Sequence, residues 1–217
     1  MPIYHIRTVI MLLAIALALV ASSRIPSPRP RSFGLFGLIA FLAFPVEVAG
    51  YVTTLKQLNN TLLYNLFTYG EFLLGLAMVR SHKPRLGKVS VIFALAGTTG
   101  MAWDCVELGS LHVMLIEGIL LMSFLLAVLI SVLLWDMANT STIALNRVPE
   151  FWLFMGMLIY FGGLPPVVAM ARFVYAQDTV LVVVLWTIVP MLCTVRYILA
   201  AYACWSLAKQ LRIAANG

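Results

Sequence analysis

Leu62 to Arg80 reads LLYNLFTYGEFLLGLAMVR, an apolar run of helix length with a single carboxylate, Glu71, near its middle. As a helix such a run crosses the ~30 Å hydrocarbon core of a bilayer. A charge at its centre costs at least ~2.5–3.5 kcal/mol on insertion scales. Glu71 is therefore expected to face protein, and it is the first candidate site. At helical spacing Tyr64, Thr68, Glu71 and Gly75 form one stripe, flanked by Asn65, Tyr69 and Phe72. The plainer reading is a protonated glutamate that hydrogen-bonds a neighbouring helix as packing glue.

The rest of the chain repeats this pattern. Of its 217 residues 63% are hydrophobic and 10% charged, and runs of bilayer length recur, which predicts an all-α polytopic membrane protein with a single transmembrane domain. Seven spans are placed at about 4–22, 33–54, 61–80, 89–106, 111–137, 150–175 and 179–207. The connections are short, so the work of the protein is expected within the lipid bilayer or at its two faces. A net charge of +6 would suggest nucleic acid in a soluble chain, but here Lys and Arg sit mostly in connections, where they set orientation. No nucleic-acid partner is expected.

Arg24, Arg29 and Arg31 follow the first apolar run, and Arg80, Lys83, Arg85 and Lys88 follow the third. The positive-inside bias then puts the N-terminus outside and the C-terminus in the cytoplasm. A cleaved signal peptide over residues 1–23, with a Val-Ala-Ser site, is the alternative to an uncleaved first helix. Pro45 is expected to kink the second span, and Gly-Gly-Leu-Pro-Pro at Gly162 to Pro166 to break the sixth.

Other charges lie at informative depths. By helical rise Glu71 is ~13–15 Å and Glu47 ~10–12 Å from the outer ends of their spans, so the two carboxylates share a level. Glu117, Asp104 and Arg172 are placed in the outer half as well, with Glu107 and His112, and Tyr51, Tyr64, Tyr69 and Trp103 are candidate pocket walls. Acids facing a common interior suit a cation site, a proton relay or a polar ligand pocket. Asp104, Glu107 and His112 otherwise read as a solvated outer loop, and Arg172 as a residue that snorkels or pairs with Asp178. Arg196, placed ~25 Å along the last span, is expected to snorkel to the inner face or to pair with Asp136.

Enzyme chemistry is not expected. His5, His82 and His112 are too few and too scattered for an intramembrane zinc hydrolase. No nucleophile motif or phosphate loop is present, and the last span lacks the lysine that retinal would need. Cys105, Cys193 and Cys204 have no metal spacing and read as small core residues. No cofactor or metal is expected. Two classes remain: a sensory or accessory module with an outward pocket around Glu71 and Glu47, or a small proton- or cation-coupled carrier using the same two residues. The mostly apolar inner half of the bundle favours the module.

Pro149-Glu150-Phe151-Trp152, Gly156 and Leu158 to Gly163, together with Tyr69-Gly70-Glu71-Phe72, resemble uncharacterised bacterial seven-helix membrane proteins. These are similar to the membrane parts of sensor histidine kinases. The resemblance implies a bacterial inner-membrane location, a sensory or accessory role, and Glu71 as the matching polar position. These 217 residues hold no kinase domain, so a cytoplasmic or membrane protein partner, or a homo-oligomer, is expected to supply the output. Small-residue faces at Gly97/Gly100 and Gly34/Gly37 are available for contacts within or between copies.

Overall fold

The computed structural model describes residues 2–174 and 179–216, except the side chains of residues 2–4, 171–172, 179–180, 182–183 and 216. The described residues form eight α-helices: α1 (Pro2–Ser23), α2 (Arg31–Leu55), α3 (Thr61–His82), α4 (Gly87–Leu108), α5 (Ile116–Thr140), α6 (Pro149–Val174), α7 (Thr179–Trp186) and α8 (Ile188–Asn216). Seven helices are long and apolar enough to cross a membrane, the last counted from Val184 to Ala215 across the α7–α8 junction. The described residues thus form the expected all-α bundle with seven helices of spanning length.

Successive spans run antiparallel, with α7 and α8 as the two parts of the last one. One end of the bundle, the basic end, gathers Arg24, Arg29, Arg31, Arg80, Lys83, Arg85, Lys88, Arg147, Lys209 and Arg212. There Lys83 pairs with Asp136. The outward surface is apolar, with Leu13, Phe41, Leu95 and Phe124 each more than half exposed, as a lipid-facing surface requires and a water-facing one disfavours.

Helix faces are set by periodicity. Phe33, Phe36, Ile39, Ala40 and Ala43 of α2 are buried at three- and four-residue spacing, as are Ile119, Met122, Leu126, Leu129, Ile130 and Leu133 of α5. Lipid tails are as apolar as these side chains, so close packing holds the helices together. Gly118 provides it between α4 and α5: a Cβ there would lie 2.9 Å from Met101 Cα. Gly156 does the same between α6 and α8, where a Cβ would lie 3.0 Å from the Arg196 carbonyl oxygen. Gly97 and Gly100 receive Phe72 and Leu121 within the bundle, whereas Gly34 faces open space.

One expected break is absent and an unexpected one is present. The α6 helix continues through Pro165 and Pro166; in the preceding turn Gly163 admits Leu192 of α8, whose Cδ1 would lie 2.9 Å from a Cβ there. The last span is interrupted instead at Thr187, three residues before Pro190. A proline ring clashes with the carbonyl four residues earlier, here that of Trp186, the final residue of α7. The fifth span also begins later than Leu111. Gly109 ends α4 in the left-handed conformation (φ 63°), and Asn65 Nδ2 donates to the Leu111 and Val113 carbonyls at 3.0 and 2.8 Å, holding the connection off the helix.

Candidate functional site

Glu71 is buried as its sequence position demands, and its partner is Arg196. Arg196 Nη2 lies 2.6 Å from Glu71 Oε1, and both side chains are 1% exposed. The contact is an ion pair rather than an aligned hydrogen bond. Among the described residues, Glu71 Oε2 and Arg196 Nε and Nη1 have no hydrogen-bond partner. Aromatic faces surround the guanidinium instead: its carbon is 4.8 Å from the Tyr160 and Tyr197 ring centroids and 5.6 Å from that of Phe161. Ring quadrupoles and one carboxylate together balance this cation.

This corrects the expectation that Arg196 reaches the inner face or Asp136. Asp136 is taken by Lys83. The helix carrying Arg196 runs on to Asn216 rather than stopping at Leu207, which places Arg196 near mid-span, too deep to snorkel.

Above the pair, away from the basic end, lies a cavity of about 360 Å³. Its lining residues come from α1, α2, α3, α5, α6, both parts of the broken last span and the α2–α3 and α4–α5 connections, all at mid-helix or nearer the end opposite the basic one. Tyr160 and Cys193 form its floor, so Tyr160 separates the cavity from the guanidinium it stacks on. Trp186, Val189 and Pro190 bring the α7–α8 break to its wall. Thr54, Asn60 and Thr61 line the side near the α2–α3 connection, where Asn60 Nδ2 reaches Thr54 Oγ1 at 3.2 Å.

Glu47, half-buried, is the charged residue among the described lining residues. The Tyr64 hydroxyl donates to its Oε2 at 3.0 Å. Gly50, one turn on from Glu47, lets that hydroxyl in, because a Cβ at residue 50 would collide with the Tyr64 oxygen. Glu47 is within electrostatic range of both Glu71 and Arg196. Two acids thus share one base, and a second positive charge in the cavity would balance them.

The remaining candidate residues lie elsewhere. Tyr69 turns toward α4, its hydroxyl 2.9 Å from Thr98 Oγ1, and does not line the cavity. Trp103 is 69% exposed. Asp104 is buried and its Oδ2 accepts from the Gly118 backbone N–H at 2.8 Å. It therefore caps the first turn of α5, whose orphan donors favour an anion. Asp104, Glu107 and Glu117 each bring an oxygen within 4.8 Å of the others, so this acidic group belongs to the α4–α5 corner and not to a pocket shared with Glu47 and Glu71. Arg172 is on α6, but its side chain, like the whole of Asp178, lies outside the described residues.

Compared with protein families, curated proteins and solved structures, the chain matches none.

Proposed function

We propose that the chain is an integral membrane sensory or accessory module that binds a small ligand with a cationic or hydrogen-bond-donating group. The observation that carries this is the one-sided cavity, in which Glu47 and its Tyr64 donor lie above the Glu71–Arg196 pair. The cavity walls are aromatic, hydroxyl-bearing and apolar, the mix that recognises small molecules with a few placed polar groups. An ammonium placed on Glu47 has Tyr51, Tyr160 and Trp186 as ring neighbours. Below the ion pair the interior closes with Met78, Val79, Leu129, Leu133, Phe154 and Ala200, all buried, which opposes passage to the other face.

By the positive-inside bias the basic end is cytoplasmic and the cavity faces outward. Output is proposed to travel along α8, which carries Arg196 at the floor and Lys209 and Arg212 at the basic end, with Thr187 as the hinge. A partner protein or a second copy of the chain receives it. The resemblance to sensor membrane parts in a bacterial inner membrane accords with this reading.

The test is titration of purified full-length protein in micelles with a series from primary to quaternary alkylammonium ions, read by Trp186 fluorescence. Saturable quenching is expected for at least one ion, weakened roughly tenfold in Glu47→Gln, as for the loss of one charged hydrogen bond. No saturable response across the series refutes the reading.

A second reading, a proton- or cation-coupled carrier using Glu71 and Glu47, draws support from the broken last span. Discontinuous helices next to a buried charge are how carriers build ion sites, and here the break at Thr187–Pro190 lines the cavity.

A further inference from the structure

A second depression runs along the outside of the bundle between α1 and the C-terminal half of α8, with a volume of about 860 Å³. Leu17, Val20, Ile198, Tyr202 and Trp205 give it apolar walls, most of them about half exposed. Arg24, Lys209 and Arg212 close it at the basic end. Among the described residues no acid lines it and none of these three cations makes an ion pair.

The dimensions match one leaflet. From Ile198 to Arg212 α8 rises ~21 Å at 1.5 Å per residue, and a leaflet with its headgroups is half of ~40–45 Å. Tyr202 and Trp205 lie between the apolar stretch and the cations, at the level where amphipathic rings meet headgroups. Two guanidinium groups and an ammonium at one level are suited to a phosphate, which arginine grips with paired donors.

We propose that this groove binds one anionic phospholipid from the leaflet at the basic end. An acyl chain lies along Leu17, Val20 and Ile198, and the phosphate sits among Arg24, Lys209 and Arg212. Three uncompensated cations distinguish it from the generic lipid-facing surface, because basic pockets at helix ends select anionic headgroups. The site is separate from the cavity around Glu47, and it holds whichever of the two functional readings is correct.

The test uses the full chain in nanodiscs of phosphatidylcholine, into which acyl-brominated phosphatidylglycerol or acyl-brominated phosphatidylcholine is titrated. The Trp205 signal is isolated by difference from Trp205→Phe. Half-maximal quenching is expected at a roughly tenfold lower mole fraction of the anionic lipid, as cationic contacts near the headgroups imply. The triple substitution Arg24→Gln, Lys209→Gln, Arg212→Gln should abolish that preference. A control triple, Arg80→Gln, Arg85→Gln, Lys88→Gln, removes as much charge from exposed positions at the same end and should retain it. Equal quenching of the native chain by both lipids overturns the proposal, and this comparison does not depend on any charge variant folding. Equal loss of preference in the two triples also overturns it, since the preference would then belong to the surface potential.

Discussion

Glu71 of α3 and Arg196 of α8 meet 2.6 Å apart in the middle of the bundle, although their helices are not close-packed neighbours along their lengths. The ion pair therefore bridges a place where backbone packing does not, directly beneath the cavity that holds Glu47.

Removing one member leaves a desolvated charge with no counter-ion, the most costly way to alter a buried pair. Glu71→Leu or Arg196→Met alone should destabilise the protein by about 3–5 kcal/mol, whereas the double substitution should recover most of that. Unfolding in mixed micelles of the native chain, both singles and the double closes the cycle. If the two single effects simply add in the double, the pair is not coupled.

The α5 cap offers a second test. Asp104→Ala removes the acceptor for the Gly118 N–H and should cost about 0.5–2 kcal/mol, the range for lost helix caps. Asp104→Asn keeps an oxygen and should cost less. Amide exchange at Gly118 is the local readout: it should accelerate in Asp104→Ala while amides in α8 are unchanged.

Close approach makes some glycines irreplaceable and others free. Gly156→Ala pushes a Cβ toward the Arg196 carbonyl, and Gly118→Ala pushes one toward Met101 Cα; each should cost about 1–3 kcal/mol, as overpacking does. Gly34 lies in α2 with nothing near its Cβ position, so Gly34→Ala should be neutral or stabilise by up to about 1 kcal/mol. Thermal unfolding of the three variants checks the ordering.

Much of this architecture is legible in the sequence because the bilayer imposes length and composition directly. Apolar runs mark the spans, and a lone carboxylate in one of them has to be buried, which is why Glu71 stands out from sequence alone. Glu47 and Tyr64 are foreseeable for the same reason, through depth along neighbouring helices. Arg196 is misplaced by sequence reasoning because a depth counted from Thr179 to an end at Leu207 sets it too near the inner face, and a C-terminal extension that mixes polar and apolar residues does not announce where the helix stops. Tyr160, Cys193 and Trp186 carry no signal of their own. They enter the site through α6–α8 packing that Gly156 and the Pro190 break permit, and such long-range relations are not written in local periodicity. Asp104 and Glu117 look alike in sequence to the cavity acids, yet the turn at Gly109 and the Asn65 clamp assign them to a different corner.

Orientation can be read directly. In a chain whose three native cysteines are replaced by alanine, Ser110→Cys should react with a membrane-impermeant maleimide on intact cells, and Ser27→Cys only after permeabilisation. The reverse pattern would put the cavity on the cytoplasmic side.

The most direct test of a one-sided binding cavity is flux. Proteoliposomes containing a pH-sensitive dye are challenged with proton, sodium, potassium and alkylammonium gradients, comparing the native chain with Glu47→Gln, which leaves the Glu71–Arg196 pair intact. The expected result is no flux above that of protein-free vesicles for either form, from protein that still binds an alkylammonium ion. Flux in the native chain that disappears in Glu47→Gln would contradict the one-sided cavity and make this protein a carrier.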